Sequence, residues 1–246
     1  MRFGLTILPE TRWTEAAPRW RAAEELGFDH AWTYDHLVWA GLPDSPWFGT
    51  TPTLTAAAMV TSTIRLGTFV TSPNYRHPVT LMRDLLALDD ISGGRFTLGL
   101  GTGGDLDARL LGGPDLTVRQ RVERFHEFAE LLDALLTRDH VDADGRWFRA
   151  VDARTLPGPV QQPRIPFVMA ANGPRSLRLA ARLGQGWVTN GSRSKLTTMS
   201  LLSNVHPPAP KPPSPTSQSY TAHSACARTI RHRLESVSRT PRRPGC

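Results

Sequence analysis

Six short apolar runs alternate along the chain with stretches of helical period, and few folds accommodate that pattern. The runs open at Phe3 (FGLTIL), His30 (HAWTY), Ile64 (IRLGTFV), Phe96 (FTLGLG), Ile165 (IPFVMAA) and Gly186 (GWVT). Near-continuous apolar strands separated by helices imply a parallel sheet buried on both faces. In residues 14–26, Ala16, Ala17, Trp20, Ala23 and Leu26 share one helical face, with Thr14 as N-cap and Gly27 as stop. Residues 78–91 begin with a proline and repeat Leu81, Leu85 and Leu88. Residues 117–136 carry the most regular stripe: Val118, Val122, Phe125, Phe128, Leu132 and Leu135. A last helix is expected over 174–183, closed by Gly184. The repeat of about 30 residues has the size of a βα unit. The spacing breaks once, between Leu136 and Ile165, where Asp144-Gly145 between short alternating runs predicts a hairpin insertion.

With 39% hydrophobic and 21% charged residues, the composition is that of a globular protein. The net charge of +7 suggests nucleic acid, but its distribution does not. Nine basic residues from Arg193 onward face only Glu235, which leaves residues 1–192 close to neutral. A near-neutral body gives no electrostatic reason to expect nucleic acid. No apolar run approaches the ~20 residues of a membrane span, and the first residues carry no cleavage-site pattern. Both cysteines, Cys226 and Cys246, fall near the end, so a cytoplasmic location without a disulfide framework is expected. The Pro-, Ser- and Arg-rich stretch after Gly191 lacks apolar periodicity. Its composition predicts disorder over 192–246, leaving 1–191 as the folded domain.

Ligands of parallel α/β folds sit at the carboxyl ends of strands. Those ends read Asp35-His36, Thr68–Pro73, Gly101-Thr102-Gly103-Gly104 and Ala171-Asn172-Gly173-Pro174. Apart from Phe69 and Val70 they are small, polar or titratable, and they should converge on one rim with Asp35 and His36 facing a ligand. An isolated His36 would equally serve as a cap on a backbone group. GLGTGG lacks the full GxGxxG and the acidic residue about 20 positions on, so it is weak as a dinucleotide motif. Its glycines would let a flat ligand lie against peptide planes, or would serve a turn needing positive φ. Asn172 and Gly173 open a helix whose N-terminal amides can seat an anion, although plain capping by Asn172 gives the same sequence. Asp105, Asp107, His36 and His77 do not have metal-ligand spacing, and no metal is expected. No GxSxG elbow is present.

The order of WTYDHLVW, IRLGTFVTSPNYRHPVTLMRDLLALDDISGGRFTLGLGTGG and VMAANGPRSLRLAARLGQGWVTNG resembles the luciferase-like monooxygenase superfamily. The resemblance implies a TIM (β/α)8 barrel, here incomplete with about six βα units. It also implies an oxidoreductase that uses the deazaflavin F420 or, alternatively, FMN on a small organic substrate. His36 matches the active-site histidine, and Asp35 an acidic residue near the cofactor. Thr68 and Phe69 match a bulge, often a non-prolyl cis peptide, behind the ring. Thr71, Gly101, Thr102 and Gly103 match ring and ribityl contacts, and Asn172 and Gly173 amides that seat the phosphate. Relatives commonly dimerise, so a homodimer is expected. Two departures stand out. Gly104 occupies the place of a glutamate in the sugar-phosphate dehydrogenases. The stretch after Thr189 replaces the last two βα units, as a truncation or a shifted reading frame would. An unclosed barrel predicts weak cofactor affinity, low solubility or a remnant without activity.

Overall fold

The computed structural model describes residues 2–189. The expected disorder after Gly191 and the boundary between 191 and 192 lie outside the described residues. Six parallel strands form one sheet: β1 (Gly4–Thr6), β2 (His30–Thr33), β3 (Arg65–Thr68), β4 (Phe96–Leu100), β7 (Phe167–Ala170) and β8 (Gly186–Val188), adjacent in that order. All pairs are parallel, with Thr33 beside Thr68 and Leu98 beside Phe167. Strands β5 (Val141–Asp144) and β6 (Arg149–Ala153) make the expected antiparallel hairpin, inserted between β4 and β7. Among the described residues β1 and β8 are the sheet's edges.

Apart from the short helix after β4, the helices pack one on the next in chain order, so they form one layer over one face. This is the wall of a barrel built from successive βα units. Helix α1 (Trp13–Glu25) starts one residue before Thr14, which therefore lies inside the first turn and does not cap it. Helix α3 (Pro78–Ile91) begins at its proline, and the His77 ring accepts from the Val79 amide at 3.3 Å. Helix α5 (Val118–Thr137) carries the capping box of Thr117 and Gln120. Helix α6 (Pro174–Leu183) starts at Pro174 and ends at Gly184.

Two helices have no counterpart in the apolar periodicity. Helix α2 (Thr50–Val60) holds four threonines and a proline in its first two turns and then Ala-Ala-Ala-Met-Val. Threonine has low helix propensity, and the end is apolar on all sides, so no 3.6-residue stripe marks it. Helix α4 (Leu106–Leu110) is a single short turn after β4.

Alternation divides the strand residues between two faces. Ala31, Leu66, Phe96, Leu98, Leu100, Phe167 and Met169 are buried against the helices, where they meet Trp20, Leu54, Leu85, Phe125 and Phe128. On the opposite face Trp32, Tyr34, Phe69, Val168 and Ala170 are only half-buried. Trp32 lies across Gly67, where an added Cβ would fall 2.3 Å from the indole. The expected burial on both faces holds for β4, whose residues are all buried, whereas in β2 and β7 the face opposite the helices is only half-buried.

The two ends of the sheet are built differently. At the amino end, arginines are spent on protein oxygens. Arg95 donates to the carbonyls of Ala58, Thr61, Ile64 and Ser92. The Arg164 side chain, only 5% exposed, donates to Asp133 and to the Ile165 and Leu183 carbonyls. Its guanidinium sits 3.5 Å from the Phe167 ring centroid.

Candidate active site

The opposite, carboxyl end gathers the expected site residues, since six parallel strands deliver their ends to one rim. His36 leaves β2, Phe69 leaves β3, Gly101 leaves β4, and Asn172 and Gly173 leave β7. His36 and Gly173 stand three strand spacings apart, about 14 Å along a flat sheet.

His36 is held from several sides. Its Nδ1 lies 2.7 Å from Asp107 Oδ2, and Asp107 Oδ1 accepts from the Leu37 amide at 2.8 Å. Trp47 Nε1 donates to the His36 carbonyl at 2.9 Å. Tyr34 meets the imidazole edge-on, with ring centroids 6.2 Å apart. Tyr34 also stacks on Phe69 at 6.3 Å and abuts Trp39 at 5.2 Å. Trp32 and Phe69 make a further edge contact at 6.1 Å. The result is an aromatic wall, half-exposed on the inner face, with one titratable ring at its upper edge.

Asp35 does not share that face with His36, which corrects the expectation that both face a ligand. The alternation of β2 continues past Thr33, so Asp35 and His36 fall on opposite sides. The Asp35 carboxylate is buried between sheet and helices, near Thr50, Leu54, Leu81 and Leu85. There it accepts from the Tyr75 hydroxyl and from Arg76 Nη2 at 2.7 Å. Burial, with the Asp35 charge added, pushes the Tyr75 phenol up. Burial alone would lower Arg76, but Asp35 outweighs it and holds the guanidinium above its ordinary value.

Thr68 and Thr71 are also turned into the protein. Thr68 Oγ1 donates to the Gly99 carbonyl at 3.0 Å and accepts from the Gly99 amide and from Thr71 Oγ1. The bonds stitch β3 to β4 where the chain bulges. The Phe69–Val70 peptide there is cis, one bond beyond Thr68-Phe69. The glycines answer to protein neighbours. A Cβ on Gly101 would lie 2.7 Å from Val70, and Gly103 has φ +65° with Asn74 and Ser72 packed against it. Thr102 is half-buried beside them. Gly104 faces open space, and its carbonyl accepts from Asn74 Nδ2 at 2.5 Å.

Asn172 is exposed at the start of α6, with its Oδ1 accepting from Thr189 at 2.6 Å. The Gly173 amide donates to Ser176 Oγ at 3.3 Å. Among the described residues, no group of three metal-ligating side chains is gathered. No described helix is long and apolar enough to cross a membrane. Asp107 is the site residue that sequence reasoning missed, because it joined the histidines only as a rejected metal ligand.

Comparison with known proteins decides the family. The family profile described as luciferase-like monooxygenase matches residues 1–207. The chain belongs to this family. It is 35% identical over 189 residues to an F420-dependent glucose-6-phosphate dehydrogenase of Beutenbergia cavernae, covering 73% of this chain and 54% of that protein. It is 32% identical to a 5,10-methylenetetrahydromethanopterin reductase of Archaeoglobus fulgidus, over 79% of this chain and 54% of the relative. Among solved structures, the coenzyme F420 dependent tetrahydromethanopterin reductase of Methanopyrus kandleri superposes with a TM-score of 0.64 at 28% identity. That match covers 77% of this chain and 55% of the other. The luciferase-like chain thus spans about half the length of the curated relatives it matches.

Proposed function

We propose that this chain carries the His36-bearing part of an F420-dependent oxidoreductase site that acts on a small organic molecule. The observation that carries the reading is His36 standing at the top of an aromatic wall on the rim where ligands of such barrels bind. The F420 dependence named for its relatives supports the choice of a deazaflavin over FMN.

The residues present fit such a group. Half-exposed Trp32, Tyr34 and Phe69 offer apolar faces to a flat ring. The start of α6 lies across the rim from His36, where the positive end of the helix dipole would favour a phosphate. Gly101, Thr102 and Gly103 form the backbone between those two places. A bound deazaflavin would supply a ring carbon that exchanges a hydride. The proton on the substrate oxygen is the task of the protein. His36 Nε2, the ring nitrogen not engaged by Asp107, accepts that proton during oxidation and returns it during reduction. Tyr34, Trp39 and Trp47 limit water around the ring and keep it in place. Asp35, Thr68 and Thr71 act from behind the wall by fixing the strand ends.

The test is anaerobic incubation of the purified chain with F420 and a panel of small alcohols and carbonyl compounds, following the deazaflavin absorbance. Turnover with at least one compound is expected, and His36→Ala should lower it by about 10²–10⁴-fold. Oxygen-dependent turnover with FMN alone would reassign the cofactor. Turnover indifferent to His36 would remove the proposed site.

A further inference from the structure

We infer that Asp107 is the positioning residue of His36, fixing both its orientation and its tautomer so that Nε2 carries the free lone pair. The inference rests on the reading of His36 as the proton-handling group.

Both oxygens of Asp107 are committed to one two-residue segment. Oδ2 meets His36 Nδ1 at 2.7 Å, and Oδ1 receives the Leu37 amide at 2.8 Å. The carboxylate therefore grips the ring and the backbone that carries it. A carboxylate in this arrangement accepts only, so the proton of a neutral imidazole is drawn to Nδ1, leaving Nε2 as acceptor. The Asp107 side chain is 3% exposed and that of His36 21% exposed, so the pair has a dry end and an open end. Among the described residues, Asp107 has no ion-pair partner other than His36. It is therefore not shared with a competing cation, unlike Asp35, which is held by Arg76.

The contact also crosses the fold. Asp107 lies 71 residues beyond His36 on α4, which follows β4, whereas His36 follows β2. The bond spans the end of β3 and ties together two loops that the sheet alone leaves independent. Tyr34 restrains one edge of the ring, and Trp47 holds the backbone carbonyl of His36. Nδ1 is the remaining degree of freedom, and Asp107 removes it. A base-orienting acid of this kind acts on the reacting proton through the histidine, with no contact of its own to substrate.

The experiment uses the full chain and the substitutions D107N and D107A. Nitrogen-15 NMR of the histidines at a pH where the imidazole is neutral reports the tautomer without cofactor or substrate. Wild type is expected to show His36 protonated at Nδ1, and both variants to show loss of that preference. D107N keeps an oxygen for the Leu37 amide, so its thermal midpoint should stay near wild type. In turnover with F420, kcat should fall by about 10–100-fold in D107N, while KM changes less than about two-fold. D107E should restore part of kcat. A wild-type tautomer protonated at Nε2, or unchanged kcat in a folded D107N with altered tautomer, would overturn the assignment. Failure of wild type to bind or reduce F420 would instead count against the proposed function, since the tautomer measurement is independent of it.

Discussion

Replacing Arg76 by methionine keeps much of the side-chain volume and removes the charge that faces Asp35. The Asp35 side chain is 1% exposed, and that of Arg76 is 19% exposed. Breaking a buried pair by deleting one partner costs about 3–5 kcal/mol, because a charge is left buried. The partial exposure of Arg76 lets water approach, and Tyr75 still donates to Asp35, so about 2–4 kcal/mol is expected. For a domain of this size each kcal/mol moves the thermal midpoint by about 2–4 °C. Arg76→Met should therefore lower it by roughly 5–15 °C. Adding Asp35→Asn removes the stranded charge, so the double variant should recover at least about 1 kcal/mol relative to R76M. Urea unfolding of wild type, both single variants and the double variant closes the cycle. A loss below about 1 kcal/mol in R76M, or a double variant no more stable than R76M, would refute Asp35 as an anchor held by Arg76.

At the amino end, Arg164→Ala leaves the Leu183 carbonyl and Asp133 without their donor and should cost about 2–4 kcal/mol by urea unfolding. Arg164→Lys should lose at least half as much, since an ammonium cannot replace a fork directed at four acceptors. Burial lowers the His30 imidazole below its ordinary value, only partly offset by Asp29, and His30 Nδ1 accepts from Trp32 Nε1 at 2.6 Å. The neutral ring is thus favoured in the fold: its contribution is present above about pH 6.5 and is lost as pH falls through the lowered folded value. His30→Asn should flatten that acid slope in denaturation curves at several pH values, and an unchanged slope would assign it elsewhere. His126 is lowered by burial in the same direction and should account for part of what remains.

The six strands were legible because each announces itself locally, as an apolar run between helices. Pro78 and Pro174 marked helix starts for equally local reasons. Helix α2 left no such mark, since threonines and an all-round apolar end hide its period. The rim was legible as a place, but the orientation of its side chains was harder to read. Asp35 and His36 are neighbours in sequence, and alternation sends them to opposite faces. The glycines after β4 looked like room for a ligand, yet Val70, Ser72 and Asn74 fill the space beside Gly101 and Gly103. Asp107 could not be read as the partner of His36, because their meeting depends on how two distant loops fold over β3.

The most direct test of the account is a fluorescence titration of F420 with the full chain, in parallel with FMN. Saturable quenching of F420, weakened by Phe69→Asp and poorly competed by FMN, is the predicted result. Absence of saturable binding by either molecule would contradict the claim that the aromatic wall beneath His36 seats a flat redox cofactor.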